Sequence, residues 1–369
     1  MSETGSRITP AEMTALVTAA ARAPSLHNSQ PWRFQVRGES VELHADPGRV
    51  LRQVDPAGRE QVISCGAALF GLRLGLRRLG YVPCVELLPD PGRPRLLARV
   101  TPGARQRAAA AERDLIAALP HRHTHRGPFA PAVVPARLLD ELVDDAAAEG
   151  AKLILVPGPD GVRFLAEMTA AAGRAQQANT AVGAELGEWA RAPGSAARDG
   201  VPARARTVQA RARTVPAQGR AVPPPASTDP AWPAAESAPR AAHPASEDAP
   251  SHPRLPQRDF GQPGVLAADG PPASATAVLA TAGDSAADWL RAGQALHRLL
   301  LHAAVRWVFA SMQSQALEVP ELRAGVRDRL GLDGMPQLLL QFGRSNIAPA
   351  TARRPAAEII DFGGPDLGG

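Results

Sequence analysis

Between Pro193 and Pro272 the chain carries sixteen prolines. No run of that density can donate the backbone hydrogen bonds of a helix or a central strand. Arginines cluster around its start, at Arg191, Arg198, Arg204, Arg206, Arg211, Arg213 and Arg220, and charge then thins out. Such a composition predicts disorder over most of 193–272, as a solvated linker or surface insertion, with a basic tether for an acidic partner as the lesser reading. Any packed core has to come from the segments on either side.

Those segments are long enough to bury one large core or two smaller ones, since 44% of the 369 residues are apolar. With eight Phe, five Trp and one Tyr, Leu, Val and Ala have to fill most of the interior. The basic residues are almost all Arg, Lys152 being the single lysine. Beside abundant Ala, Gly and Pro this reads as coding bias, so the pI gives no support to a nucleic-acid partner. Cys65 and Cys84 lie among apolar neighbours; they read as small core hydrophobes, and two cysteines make no disulfide framework. The apolar stretch 295–319 is interrupted by Arg298 and Arg306, short of the ~20 apolar residues a membrane span needs. Residues 1–7 lack an apolar leader. The expectation is a cytoplasmic protein with no membrane partner.

Local signals place the elements. Thr9-Pro10-Ala11-Glu12 is a capping box with Pro at the first helical position, and Pro24 stops the helix that follows. Strands are predicted at 33–36, 41–45, 82–88 and 96–100, with a helix over 59–79 between the pairs and another over 107–119. A second round predicts helices at 135–149 and 162–189, strands at 152–156, 277–282 and 337–342, and helices at 285–310 and 320–330. Mixed αββαββα units of this kind predict an α+β sandwich, built from two related halves in one chain. The expected boundaries are 8–120 for the first half, 121–192 with 273–360 for the second, and 193–272 for the insertion.

Two segments carry chemistry. Ala23-Pro24-Ser25-Leu26-His27-Asn28-Ser29-Gln30-Pro31-Trp32 is a tight polar loop between two prolines, holding a hydroxyl, an imidazole and two carboxamides. By spacing alone a self-satisfied turn is the simpler reading. In His121-Arg122-His123-Thr124-His125-Arg126, the residues Arg122, Thr124 and Arg126 share one face of an extended chain. Two guanidiniums and a hydroxyl on one side suit a phosphate, whose oxygens Arg binds bidentately. His121, His123 and His125 alternate on the other face; with no cysteine or carboxylate nearby in sequence, a metal site is the weaker reading.

The run Pro-Ser-x-x-Asn-x-Gln-Pro-Trp resembles the flavin-site motif of the nitroreductase family, and His27 before Asn28 resembles its Acg-type branch. Further matches follow in order: Asp55-Pro56-Ala57-Gly58-Arg59-Glu60, Ser64-Cys65-Gly66-Ala67-Ala68-Leu69, Gly283-Asp284-Ser285, Asp288-Trp289-Leu290, Gln315 with Glu318, and Pro336-Gln337-Leu338-Leu339-Leu340. The likeness covers about 8–200 and 257–360. It implies an FMN held between two halves of a pseudo-dimer, and a monomeric protein. It implies FMN contacts from Ser25, His27, Asn28 and Gln30, with phosphate contacts from Arg122, Thr124, Arg126 and Arg353 and, more weakly, Arg344. Backbone near Ser311 and Gln315 is implied at the flavin N5 edge. The resemblance further implies two-electron reduction of a small nitro, quinone or enone acceptor with NAD(P)H as donor, the flavin rather than a side chain carrying the chemistry. Asp199-Gly200-Val201-Pro202 and Arg258-Asp259-Phe260 resemble segments that flank a lid in the Acg-type branch. An occluded flavin, in a weakly catalytic FMN-sequestering stress protein, is the alternative.

Overall fold

The structure is a computed structural model; it describes residues 8–126, 129–130, 132–202, 255–256, 258, 275–345 and 351–363. The bulk of the proline-rich insertion, and with it the expectation of disorder, lies outside the described residues. So do Asp259 and Phe260.

The chain opens with α1 (Pro10–Ala21), then β1 (Trp32–Arg37), β2 (Ser40–Ala45), α2 (Arg59–Arg78), β3 (Tyr81–Leu87), β4 (Leu96–Arg105) and α3 (Ala110–Ala118). Thr9 Oγ1 accepts from Glu12 N at 3.2 Å while the Glu12 carboxylate accepts from Thr9 N at 2.8 Å. Two of the donors left over at a helix start are satisfied in this way. The second part runs α4 (Ala136–Ala148), β5 (Lys152–Leu155), α5 (Gly158–Ala178), α6 (Thr180–Glu188), β6 (Ala190–Arg191), β7 (Val201–Pro202), β8 (Ala275–Thr281), α7 (Ala286–Val305), β9 (Val308–Gln313), α8 (Gln315–Glu318), α9 (Pro320–Arg329) and β10 (Met335–Arg344). It closes with α10 (Ala356–Ile359) and β11 (Ile360–Asp361).

Three expectations are corrected. The helix expected over 285–310 stops at Val305, and Val308–Gln313 is a strand; Trp307 at φ 55° makes the break. The apolar run through Leu301 and Phe309 is buried in either conformation, so periodicity could not separate them. The helix expected over 162–189 is two helices, because the Asn179 side chain accepts from Ala181 N and Val182 N and starts a new one. Cys65 is buried, but Cys84 is exposed on β3.

The first sheet has strand order β11-β1-β2-β4-β3 and the second β5-β8-β10-β9. If β11 is set aside, the two sheets share one plan. An antiparallel pair (β1-β2, β5-β8) is followed by a long helix (α2, α7), and the next two strands join in reversed order (β4-β3, β10-β9). The long helices pack on each other so closely that a Cβ at Gly66 would lie 2.3 Å from Leu290 O, and one at Gly293 2.0 Å from Ile63 O. Ile63, Cys65, Leu69 and Leu72 of α2 and Leu290, Leu299 and Leu300 of α7 are among the side chains buried around that contact. At the C-terminus β11 returns to the first sheet, parallel to β1. Among the described residues, no helix is long and apolar enough to cross a membrane.

Candidate functional site: a buried guanidinium cluster under a polar loop

Pro24 ends the α1 segment, and residues 25–31 turn sharply through a 3-10 turn, Leu26–Asn28. His27, Asn28 and Gln30 all have positive φ, at 50°, 56° and 50°. For side-chain-bearing residues this conformation costs of order 1–3 kcal/mol each and persists only where surroundings enforce it. They do so here. Ser25 Oγ accepts from Gln30 N at 3.0 Å, and Ser64 Oγ accepts from Leu26 N at 3.2 Å while donating to Glu60 O at 2.7 Å, which ties the loop to α2.

The two carboxamides are consumed by the protein. Asn28 Nδ2 donates to Gly200 O at 3.2 Å and Ala352 O at 3.3 Å, and its Oδ1 accepts from Arg353 Nη1 at 2.9 Å. Gln30, fully buried, donates to Arg198 O at 2.8 Å and Asn28 O at 3.3 Å and accepts from Arg354 N at 2.8 Å. Both donors and the acceptor of each amide are thus used. They fasten the 198–200 strap and the 352–354 segment onto the loop.

Beneath that loop, arginines from distant parts of the chain converge. Arg122 Nη2 donates to Arg22 O at 3.0 Å; Arg353 Nη2 donates to the same carbonyl at 3.4 Å and to Ala23 O at 3.2 Å. Asn28 and Arg122 are therefore linked through one guanidinium and one carbonyl. Segment 122–126 runs beside β9, with Thr124 bridged to Ala310 and His125 N donating to Ala310 O at 2.9 Å. Burial pushes Arg122 down to about 10, with Arg22 and Arg126 adding repulsion. Burial alone takes Arg126 to about 10. Arg353 is pushed well below its usual range by burial and then by Arg122, Arg22 and Arg126. Among the described residues, Arg122 Nε and Nη1 and Arg353 Nε have no hydrogen-bond partner. Among the described residues no carboxylate pairs with Arg122, Arg126 or Arg353. Buried positive charge without a counterion is costly, so this arrangement suits an anion and little else. Arg22 escaped the sequence reading; at the end of a helix it reads as an ordinary partner of the helix dipole.

Imidazoles surround the cluster. His27 is lowered well below its usual value by burial and by Arg258 and Arg126. His123 packs on Phe309 with centroids 4.3 Å apart, His125 stacks on Phe129 at 4.5 Å, and His121 stacks on Trp307 at 5.9 Å. Among the described residues no group of His, Cys, Asp and Glu is placed to hold a metal.

Ser311 and Gln315 stand at the far end of β9. Ser311 Oγ accepts from Gln313 Nε2 at 3.0 Å and Gln315 opens α8. Glu318, in the same short helix, is paired with Arg258 and accepts from Gln176 Nε2 at 2.7 Å. Arg258, paired with Glu318, adds to the lowering of His27. Glu60, buried against Arg59 at 2.5 Å, is raised to about 7 by burial, with Glu318 and Asp55 adding to the rise. Arg344 does not join them. It is paired with Val308 at the opposite end of β9 and lines a groove of about 300 Å³ with Pro135, Leu138, Glu141 and Trp307.

A Mycobacterium tuberculosis protein provisionally named an NAD(P)H nitroreductase is 31% identical over 360 residues, 94% of this chain and 90% of the relative. A second protein of that organism, provisionally named the NAD(P)H nitroreductase acg, is 40% identical over 114 residues, 31% of this chain and 34% of the relative. An uncharacterised protein of the same organism is 36% identical over 117 residues, again 31% and 34%. No family profile matches the chain.

Proposed function

Because this chain belongs to the Acg-type branch of the nitroreductase family, we propose that it is an FMN-binding oxidoreductase that passes two electrons from NAD(P)H to a small nitro, quinone or enone acceptor. The observation that carries the cofactor assignment is the cluster Arg122, Arg126 and Arg353. Arg122 is buried and Arg126 and Arg353 are half-buried; among the described residues the cluster lacks a carboxylate and has side-chain nitrogens without partners. A phosphate monoester supplies the missing counter-charge and acceptors together. When bound, FMN supplies hydride acceptance at N5 and its delivery to the acceptor. The chain's own part is binding and orientation. Arg122, Arg126, Arg353 and Thr124 hold the phosphate; Ser25 and His27 present the strained loop to the cofactor. Asn28 and Gln30 keep that loop shut against the 198–200 strap, and Ser311 and Gln315 form the opposite rim.

The shared strand plan of the two sheets supports reading 8–120 and 121–192 with 273–360 as duplicated halves, one FMN lying between them in a monomeric cytoplasmic protein. The polar loop comes from the first half and the Arg122–Arg126 segment from the second; among the described residues the second half carries no copy of Pro-Ser-x-x-Asn.

One observation favours a second reading. The strap carbonyls of Arg198 and Gly200 sit directly on Gln30 and Asn28, an arrangement suited to an occluded flavin in a sequestering stress protein. Purified protein reconstituted with FMN and titrated anaerobically with NADPH and NADH separates the two. The oxidoreductase reading expects one FMN per chain whose yellow absorbance bleaches. Tight flavin reduced by dithionite but by neither nucleotide establishes sequestration. Failure to retain FMN, or two per chain, overturns both.

A further inference from the structure

His297 lies on α7, against α2, and its side chain is fully buried. Its Nδ1 is 2.7 Å from Ala67 O. A carbonyl only accepts, so Nδ1 carries the ring hydrogen and Nε2 presents a lone pair. Among the described residues that Nε2 has no hydrogen-bond partner. The charged groups that act on the ring are Arg122, from the segment after α3, and Arg353, from the C-terminal segment. Its other neighbour is the edge of Phe70 on α2, at 5.9 Å between centroids. Burial and the two guanidiniums hold the ring neutral, with its pKa down to about 3. A buried acceptor within electrostatic reach of guanidiniums that are themselves short of acceptors leaves both incomplete.

An anion bound among the arginines changes this balance. The oxygens of a phosphate dianion only accept, and a neutral Nε2 offers them no hydrogen. Where Nε2 meets a phosphate oxygen, one proton has to lie between them, on the imidazole or on that oxygen. We propose that His297 completes the phosphate site by taking up this proton, so that binding of a phosphate monoester is coupled to the capture of one proton from solvent. This rests on the FMN reading above. The charge effect is ample. One opposite unit charge at ~4 Å, at an effective dielectric of ~20, raises a neighbour's proton affinity about 10³-fold, and a dianion up to about 10⁶-fold. Arg122 and Arg126, lowered only to about 10, add little to the proton count at pH 8, and a proton captured by Arg353 would survive in H297Q. The free phosphate adds little above its second pKa of about 6.

His123 is the competing imidazole. It has the same tautomer, with Nδ1 3.2 Å from His121 O and an Nε2 without a partner. It packs on Phe309, however, and its charged neighbours are Arg122, His125 and Arg126 rather than the Arg122–Arg353 pair.

The test is calorimetric titration of the apoprotein with FMN, and separately with inorganic phosphate, at pH 8 in two buffers of different ionisation enthalpy. Wild type is expected to take up about one proton per FMN, and its affinity to fall up to tenfold per pH unit between about 7 and 9. In His297→Gln the amide can donate to phosphate at any pH. FMN should then still bind, with uptake lost and the pH dependence flattened. FMN binding without uptake in wild type, or full uptake surviving in H297Q, overturns the proposal and leaves the flavin reading intact. Binding of neither FMN nor phosphate overturns both. If H297Q does not fold, the 15N imidazole spectrum of wild type decides. One buried neutral ring must become doubly protonated, or share its proton with phosphate, when FMN is added; an unchanged set of imidazole signals overturns the proposal.

Discussion

Replacing Arg122 with Met tests the cluster in two directions at once. In the protein without ligand, Arg122 is 5% exposed and its guanidinium is depressed from its usual value to about 10, mainly by burial. That depression corresponds to about 3 kcal/mol of unfavourable charge burial. A base lowered in the folded state is a liability at every pH below the folded value, and is relieved only as pH climbs above about 10 towards the ordinary arginine range. At pH 7 the full cost is present. Arg122→Met removes it, loses the hydrogen bond to Arg22 O, worth about 1.5 kcal/mol, and keeps a buried apolar stem. The apoprotein should gain about 1–2 kcal/mol, a Tm rise of roughly 2–6 °C. FMN affinity should fall by about 1.5–3 kcal/mol, roughly 10–150-fold. Thermal denaturation with and without FMN reads both quantities. A variant that melts earlier than wild type while binding FMN normally would refute the reasoning, since Arg122 would then be a structural arginine with a partner outside the described residues.

Other outcomes follow from the same contacts. Glu60, raised from 4.5 to about 7, binds its proton more tightly folded than unfolded, so it favours the folded state below about 4.5 and loses that contribution as pH rises to 7. Glu60→Gln should flatten the fall in urea-denaturation stability over this window. Gly293→Ala places a Cβ 2.0 Å from Ile63 O and should destabilise the protein by about 1–3 kcal/mol or more in chemical denaturation. Gln30→Leu leaves the buried Arg354 N–H without its acceptor. It should cost about 1–3 kcal/mol and reduce FMN retention, although Gln30 spends its hydrogen bonds on protein. Arg344→Ala should leave FMN content unchanged by absorbance, because that side chain lines the groove by Trp307.

Local order was readable to the extent that it is fixed locally. A capping box at Thr9, a glycine after α2 and alternation in β1 and β2 depend on neighbours a few residues away, and those elements appear within a residue or two of expectation. The strand Val308–Gln313 did not announce itself. It continues the apolar run of α7 through Trp307, Val308 and Phe309, and only pairing with β10 decides between helix and strand. The loop residues were found by their order in the chain, yet their roles were not: a carboxamide looks the same in sequence whether it meets a cofactor or a strap carbonyl.

Sequence by itself determined where several helices start and which family the chain belongs to, because caps and ordered motifs are properties of short stretches. Only the tertiary structure decided that Arg122 and Arg353 meet on Arg22 O, that Asn28 and Gln30 are spent on the 198–200 strap, and that the buried His297 ring is fastened to Ala67 O. The physical reason is desolvation. The energy of a charge or a lone pair is set by what surrounds it in space, and those surroundings come from residues hundreds of positions apart in the chain.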